Sequence, residues 1–576
     1  MGGSRVPLHY EDQSDEDDGD AGIDFGWFQF DEELLSTPVT EGSAARPIMI
    51  GDSEQELDES SKYAETPTSY KDAMASDEAA LWEHAIGEEI KNHIDYRTWK
   101  LVPSEQVTGK LLTTGWTFAV KLDQTGHHLR YKARLYVKGC QQTTSQYHET
   151  SAPVTNLITL RMLLHHAVTH RANVVHIDVK AAYLNAPLTE DLYMCVPDGV
   201  SAQPGQVCKI LKSIYGLKQA GANWHGLITK WFASVGFTRS ETDPCLYVKK
   251  GSGAMCTLYV DDMILVSRST HEQRVVVESL RKKFTIKVTS LNVYLAQRIV
   301  FEEDTVTIDM STYVKDMLRK YGLHHANKTA VPCGKQVQTV EEEAVGTDAK
   351  GYRSLVGQLQ WVCQTTRPDL TFAVHSVSRA VARPLNRDAA AAKRIMRYLT
   401  GTSATAILVR SGGELVAYVD ADWATDQETR RSVSGYVIGY EHGDGTLSPI
   451  VWRTRKQSCV ATSTCEAEYV GCHDVCREVC YLRRLLTDMG EKCEAPTPIY
   501  CDNKAAVLIG NNDVKRTKHA RYIDIRYHFA RHCQAEGRVR FTEVRSSQNI
   551  ADMFTKPLSR DRFMKLARRI TVETTS

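Results

Sequence analysis

Between residues 257 and 267 the chain reads "TLYVDDMILVS", with Leu258, Tyr259 and Val260 on one side of two acids and Met263, Ile264, Leu265 and Val266 on the other. Short β-favouring apolar runs separated by polar residues predict a buried hairpin, with Asp261 and Asp262 as its turn. Upstream, Val174, Val175, Ile177 and Val179 predict another strand, which carries one acid, Asp178, and ends in "KAAYLNAPL". Past residue 412 the texture is again β-rich: "GELVAYVDADWATD" reads as a strand ending near Asp420, followed by a hairpin around "RRSVSGYVIGY". "SCVATSTCEAEYVGCHDVC" reads as a helix, "TPIYCDNKAAVLIG" as a strand running into a helix, and "SSQNIADMFTKPL" as a further short helix. The two stretches have their own apolar strands, which predicts a core for each.

Composition changes this picture at the N-terminus. The formal net charge of −1 over 576 residues averages a strongly acidic start, opening with "YEDQSDEDDGD" and lacking a sustained apolar period to about residue 66, with a basic remainder. The start reads as a disordered acidic leader (1–66), and the remainder has the charge of a nucleic-acid binder. No run of about eighteen apolar residues and no signal-peptide order occurs, so the expected location is intracellular. "MGGSRV" places Val6 where a myristoylation motif wants Ser or Thr. Fifteen cysteines without regular pairing read as reduced thiols. Cys472, Cys476 and Cys480 share one helical stripe beside His473, a spacing that suits a core stripe better than a zinc site.

The acids carry the chemistry. If the Val174–Val179 strand packs beside the hairpin, Asp178, Asp261 and Asp262 converge, and like charges held together call for a cation. Mg²⁺ prefers a few carboxylate oxygens plus substrate phosphates. Two such ions would activate a 3′-hydroxyl and neutralise a leaving pyrophosphate, which is nucleotidyl transfer.

"HIDVKAAYLNAPL", "SIYGLKQAGANW", "DPCLYV" and "LYVDDMILVS", in this order, resemble the reverse transcriptase of copia-type LTR retrotransposons, and the likeness runs from about residue 66 to 559. It implies a multidomain α+β and α/β chain. A right-hand polymerase comes first, with fingers and palm over 67–290 and thumb and connection over 291–411. An RNase H-like α/β domain over 412–558 and a basic tail over 559–576 follow. It implies that Asp178, Asp261 and Asp262 hold Mg²⁺ or Mn²⁺, that Tyr183 excludes a ribose 2′-hydroxyl, and that Gln219 contacts the incoming nucleotide. Lys121, Lys132 and Arg134 lie in the fingers stretch, and which of them meets the triphosphate stays open. In the C-terminal stretch the order strand acid, helix acid, strand-end acid, helix acid of Asp420, Glu466, Asp502 and Asp552 resembles the RNase H fold, which implies that these four are the metal ligands of RNA-strand hydrolysis. Ser463 also stands three residues before Glu466, the capping-box spacing, and Glu468 lies close by; the family pattern favours Glu466.

The expected partners are an RNA template, a DNA primer, deoxynucleoside triphosphates and an RNA–DNA hybrid, with no membrane, in a cytoplasmic particle or the nucleus. "KRTKHARYIDIRYHFARH" interleaves cations with aromatics and is expected to grip the hybrid backbone. Neither a Cys-x₂-Cys-x₄-His-x₄-Cys knuckle, an Asp-Ser/Thr-Gly turn nor an integrase zinc module occurs in the sequence, so the chain is expected to be the C-terminal portion of a polyprotein or a truncated copy. The acidic leader would then be the tail of an integrase-side linker. Two positions depart from the family: Ala296 in "YLAQRIV" replaces the glycine of Leu-Gly-Ile-Glu, and Gly221 replaces proline. They slightly favour the alternative reading, a catalytically silent or co-opted nucleic-acid-binding relic, whereas the seven intact acids favour the leading one, an RNA-directed DNA polymerase with RNase H activity.

Overall fold

The computed structural model describes residues 66–121, 130–334, 349–426, 428–511 and 529–574; the acidic leader lies outside them. The described part opens on helices Tyr70–Ala75 and Ala79–Tyr96, the first capped by the Ser69 hydroxyl, which accepts from the Asp72 amide at 3.1 Å. Trp82 seals these helices onto a hairpin of strands Thr114–Lys121 and Arg130–Val137, its ring edge-on to Phe118 at 5.2 Å and to Tyr131 at 4.6 Å.

A six-stranded antiparallel sheet follows, with strands in the order Ile286–Thr289, Asn173–Val179, Asp262–Ser267, Ala254–Tyr259, Leu246–Lys249 and Thr238–Arg239. Both faces are covered. Ile264 and Val266 point into a core with helix Leu157–Thr169, whereas Met263 and Leu265 point into a second core with helices Ala220–Ser234 and Thr270–Arg281. Burial on both sides is why "MILV" is an unbroken apolar run rather than an alternating one.

A five-stranded antiparallel sheet then joins Val293–Tyr294, Gln297–Phe301, Thr305–Asp309, Thr405–Arg410 and Val572–Glu573. The C-terminal stretch, expected as a tail, is thus folded: helix Arg560–Ala567 precedes a strand that pairs with residues 405–406. The last sheet has the spatial order Leu447–Lys456, Val433–Glu441, Glu414–Asp422, Thr497–Cys501, Val539–Glu543, the final two strands running parallel to Glu414–Asp422. The 25-residue helix Thr464–Asp488 packs on it, with Cys472, Cys476 and Cys480 buried.

Apolar packing does not stop at residue 412, although further clusters lie wholly within the first 290 residues. One continuous apolar cluster runs from Leu160 through Leu359 and Val437 to Ile570. At its centre the buried guanidinium of Arg161 lies 4.0 Å over the Trp452 ring, donates to Ile450 O at 2.8 Å and to Thr365 O at 2.9 Å, and also bonds Gln364 O. Sequence pattern assigns strands to segments but does not reveal that a helix of one segment buries a second face against another. Among the described residues no helix is long and apolar enough to cross a membrane, and all fifteen cysteines are free.

Candidate active sites

The strand register sets Asp262 directly opposite Asp178 across an antiparallel pair. Like charges at such positions destabilise a sheet. Burial, followed by the charge of Asp262, pushes the Asp178 carboxyl above its ordinary value, while His176, Lys132 and Lys287 pull it back. His176, two residues before Asp178 and so on the same strand face, brings its Nε2 to 2.8 Å from Asp262 Oδ1.

The hairpin turn falls one residue earlier than the pattern implied. Tyr259 pairs with Asp262, so Val260 and Asp261 form the loop and Asp262 opens the strand. Val260 has φ 52°, a costly conformation for a β-branched residue. Three donors surround this turn: Trp224 Nε1 bonds Val260 O at 2.6 Å, the Val179 amide bonds Asp261 O at 2.9 Å, and the Thr155 hydroxyl bonds Leu258 O at 2.6 Å. Asp261 is therefore presented by a turn clamped from three separate elements. Among the described residues, the three carboxylates do not gather with all ligand atoms within 4.8 Å of one another.

Around these acids, Lys132 is near enough for its charge to act on Asp178. Arg134 lies 4.5 Å over the Tyr215 ring, and Tyr215 meets Tyr183 edge-on at 4.8 Å. Tyr215 was not anticipated. Lys121 ends its strand, and its side chain is outside the described set. Gln219 does not face an open site: it is 1% exposed, accepts from Gln142 Nε2 at 3.0 Å and donates to Gln146 O at 3.2 Å. Its amide is spent bracing the start of helix Ala220–Ser234. A groove of about 1170 Å³, lined by Val168, Leu291, Ala296 and Phe301 among others, contains none of the predicted acids.

The second set is tighter. Asp420 on the central strand, Asp502 just after the neighbouring parallel strand, and Asp552 in the 3₁₀ turn Ile550–Phe554 bring one ligand atom each within 4.8 Å of the others. Burial, opposed by the charge of Lys556, raises the Asp420 carboxyl. Lys556 Nζ lies 3.3 Å from Asp420 and 3.0 Å from Asp552, Arg562 also pairs with Asp552, and the Thr555 hydroxyl donates to Asp420. The Ser546 hydroxyl donates to Asp502 at 2.5 Å.

Glu466 is not part of this set. Its carboxylate accepts from the Thr462 amide at 2.7 Å and the Thr462 hydroxyl at 2.6 Å, while its own amide bonds the Ser463 hydroxyl at 3.2 Å. Ser463 caps the helix through the Glu466 amide, and the Glu466 carboxylate ties down Thr462, the residue before the cap, rather than completing a capping box with the Ser463 amide. The buried Glu468, and not Glu466, is grouped with Cys501 and Asp502 within 4.8 Å. Burial, then Cys501, Asp420 and Asp502, holds its carboxyl well above the ordinary range. Residues 515–528 of the basic–aromatic run lie outside the described residues, and its last four residues begin helix Phe529–Ala535.

The reverse transcriptase (RNA-dependent DNA polymerase) family matches residues 96–335. Over 500 residues the chain is 33% identical to the retrovirus-related Pol polyprotein from transposon RE1 of Arabidopsis thaliana, covering 85% of this chain and 34% of that one. The Pol polyprotein from transposon TNT 1-94 of Nicotiana tabacum is 32% identical over 519 residues, 86% of this chain and 38% of its own. The chain carries the reverse transcriptase domain of a copia-type Pol polyprotein. It spans about a third of the length of these curated relatives. A putative Ty5-1 transposon protein of Saccharomyces cerevisiae is 27% identical over 315 residues, 52% of this chain and all of that one. A solved foamy viral protease-reverse transcriptase in complex with double-stranded DNA aligns over 81% of this chain and 70% of its own, at a TM-score of 0.47 and 10% identity, too distant a likeness to carry an argument.

Both departures from the copia-type pattern have a structural meaning. Ala296 has φ 61° and Leu295 φ 49°, and these two residues form the loop between paired Tyr294 and Gln297. A two-residue loop with both φ positive favours Asn-Gly, so the family glycine suits the position and alanine is strained there. Gly221 sits against Ala152, where an added Cβ would come to 2.9 Å of that methyl.

Proposed function

We propose that the chain is an RNA-directed DNA polymerase whose nucleotidyl transfer is centred on Asp178, Asp261 and Asp262, joined to a ribonuclease H centre of Asp420, Glu468, Asp502 and Asp552. The observation that carries the first part is the cross-strand pairing of Asp178 with Asp262 beside a clamped turn that presents Asp261. In this reading the six-stranded sheet is the palm, the N-terminal hairpin belongs to the fingers, and the sheet ordered 3-2-1-4-5 is the RNase H-like unit.

Both donor sets consist of hard carboxylate oxygens, which suit Mg²⁺ or Mn²⁺, and the raised Asp178 carboxyl registers a repulsion that a divalent cation relieves. When bound, such ions would activate the attacking oxygen and neutralise charge on the leaving group. His176 orients Asp262. Lys132, whose charge acts on Asp178, and Arg134, over the Tyr215 ring, would meet the triphosphate of a deoxynucleotide, and the Tyr183 ring, edge-on to Tyr215, would exclude a ribose 2′-hydroxyl. Lys556 holds Asp420 and Asp552 in register in the second centre. The substrates are an RNA template with a DNA primer and the RNA–DNA hybrid that extension creates.

Primer extension by the purified chain on an RNA template tests the reading. Extension in Mg²⁺ or Mn²⁺ is expected, and its absence under both ions would favour the silent relic, the alternative to which the strained Leu295–Ala296 loop lends support.

A further inference from the structure

A second type of polar cluster lies where the helix Leu157–Thr169 meets the end of the long C-terminal helix. His166 and His170 are four residues apart, and their rings, tilted at 50° to one another, lie 4.3 Å apart between centroids. His166 Nδ1 lies 2.8 Å and His170 Nε2 2.7 Å from the same atom, Oε1 of Glu491, which follows helix Thr464–Asp488 after the Gly490 turn. All three ligand atoms are within 4.8 Å of one another. The His166 side chain is 6% exposed, His170 27% and Glu491 32%, so the cluster has a buried floor and an open side.

We propose that His166, His170 and Glu491 form a transition-metal site, best suited to Zn²⁺, that fastens the polymerase portion to the C-terminal unit. Two imidazoles and one carboxylate with an open position are a three-protein-ligand set, completed by water. Tetrahedral bonds of about 2.0 Å separate ligand atoms by about 3.3 Å, so the ion requires the cluster to open by roughly half an ångström, within the rotamer freedom of the partly exposed His170 and Glu491. A softer nitrogen-bearing set also distinguishes this position from the all-carboxylate centres. Burial, followed by the neighbouring His170, brings His166 down to about 4, so it is neutral at physiological pH, the state a metal ligand needs. The positive charge of Arg268 acts in the same direction, and the Glu491 carboxylate pulls the other way. The site lies outside both acid sets, so it stands or falls independently of the polymerase reading.

The test is titration of the full chain with Co²⁺ in excess Mg²⁺, which fills the carboxylate centres. One Co²⁺ per chain is expected, with the visible absorption of a four-coordinate ion, no sulfur charge-transfer band, and displacement by Zn²⁺. His170→Gln and Glu491→Gln, both at partly exposed positions, each remove a direct ligand and should weaken binding by at least about 100-fold, the upper end of what loss of an outer-shell partner costs a metal site. Asp262→Asn and Asp420→Asn should leave it unchanged. The proposal is overturned if the wild-type chain binds no such Co²⁺, if both cluster variants keep its affinity, if an acid-set variant abolishes it, or if a charge-transfer band assigns the ion to the cysteines.

Discussion

Replacing Ala296 by glycine should stabilise the hairpin that it closes. Leu295 and Ala296 occupy the left-handed region at φ 49° and 61°, where a residue with a Cβ is about 1–2 kcal/mol worse off than glycine. Glycine returns part of this through the greater freedom of the unfolded chain, about 0.4–1 kcal/mol. Ala296 is exposed, so its methyl contributes little burial. The net gain is about 0.5–1 kcal/mol, which slows local opening by a factor of about 2 to 5. Hydrogen exchange of residues 291–301 in wild type and Ala296→Gly reads this directly. Tyr294, next to the loop, stands edge-on to His176 at 5.8 Å, and His176 pairs with Asp262, so the gain should extend to the Val174–Val179 strand. Unchanged or faster exchange in the variant would refute the claim that this turn is strained.

Glu468→Gln should lower RNA cleavage of a labelled hybrid by orders of magnitude, whereas Glu466→Gln should keep cleavage and cost only about 1 kcal/mol of helix-cap stability; the reverse result would return Glu466 to the site. Because burial and the Asp262 charge raise the Asp178 carboxyl, its native form holds a proton that the unfolded chain has already lost. Its contribution to stability therefore falls as pH rises from the ordinary aspartate value through the raised one. Asp262→Asn removes one cause, so infrared titration of the metal-free protein should find Asp178 shifted downward, and an unmoved carboxyl would contradict the assigned coupling. Ending the chain at residue 411 should abolish a cooperative melt of the polymerase portion, since Arg161 would lose Trp452 and the Ile450 carbonyl; an intact melt would argue for separate cores after all.

The apolar runs around Asp178, Asp261 and Asp262 made their strands legible, because each run is long enough to be a strand and too short to be a helix, whereas their adjacency was only a condition of the reading. The turn position was not: it depends on Tyr259 pairing with Asp262 and on a valine tolerating positive φ under three clamping bonds. The choice between Glu466 and Glu468 needed the helix start. Once Ser463 is the N-cap, the first glutamate serves the terminus and the second turns inward. Gln219 shows the converse limit, since nothing in "YGLKQA" reveals that Gln142 and Gln146 take up its amide from 77 and 73 residues away. Burial of one helix against two units, and the return of residues 572–573 to the 405–410 strand, are long-range pairings that local periodicity does not encode.

The most direct test of the central claim is single-turnover primer extension on RNA with the wild-type chain and Asp262→Asn at matched hybrid occupancy. Binding rests on many cation–phosphate contacts and should differ little between the two, falling with salt in both. Extension should proceed in the wild type and be lost in Asp262→Asn, and equal extension by both proteins would contradict the assignment of the Asp178–Asp262 pair as the polymerase centre.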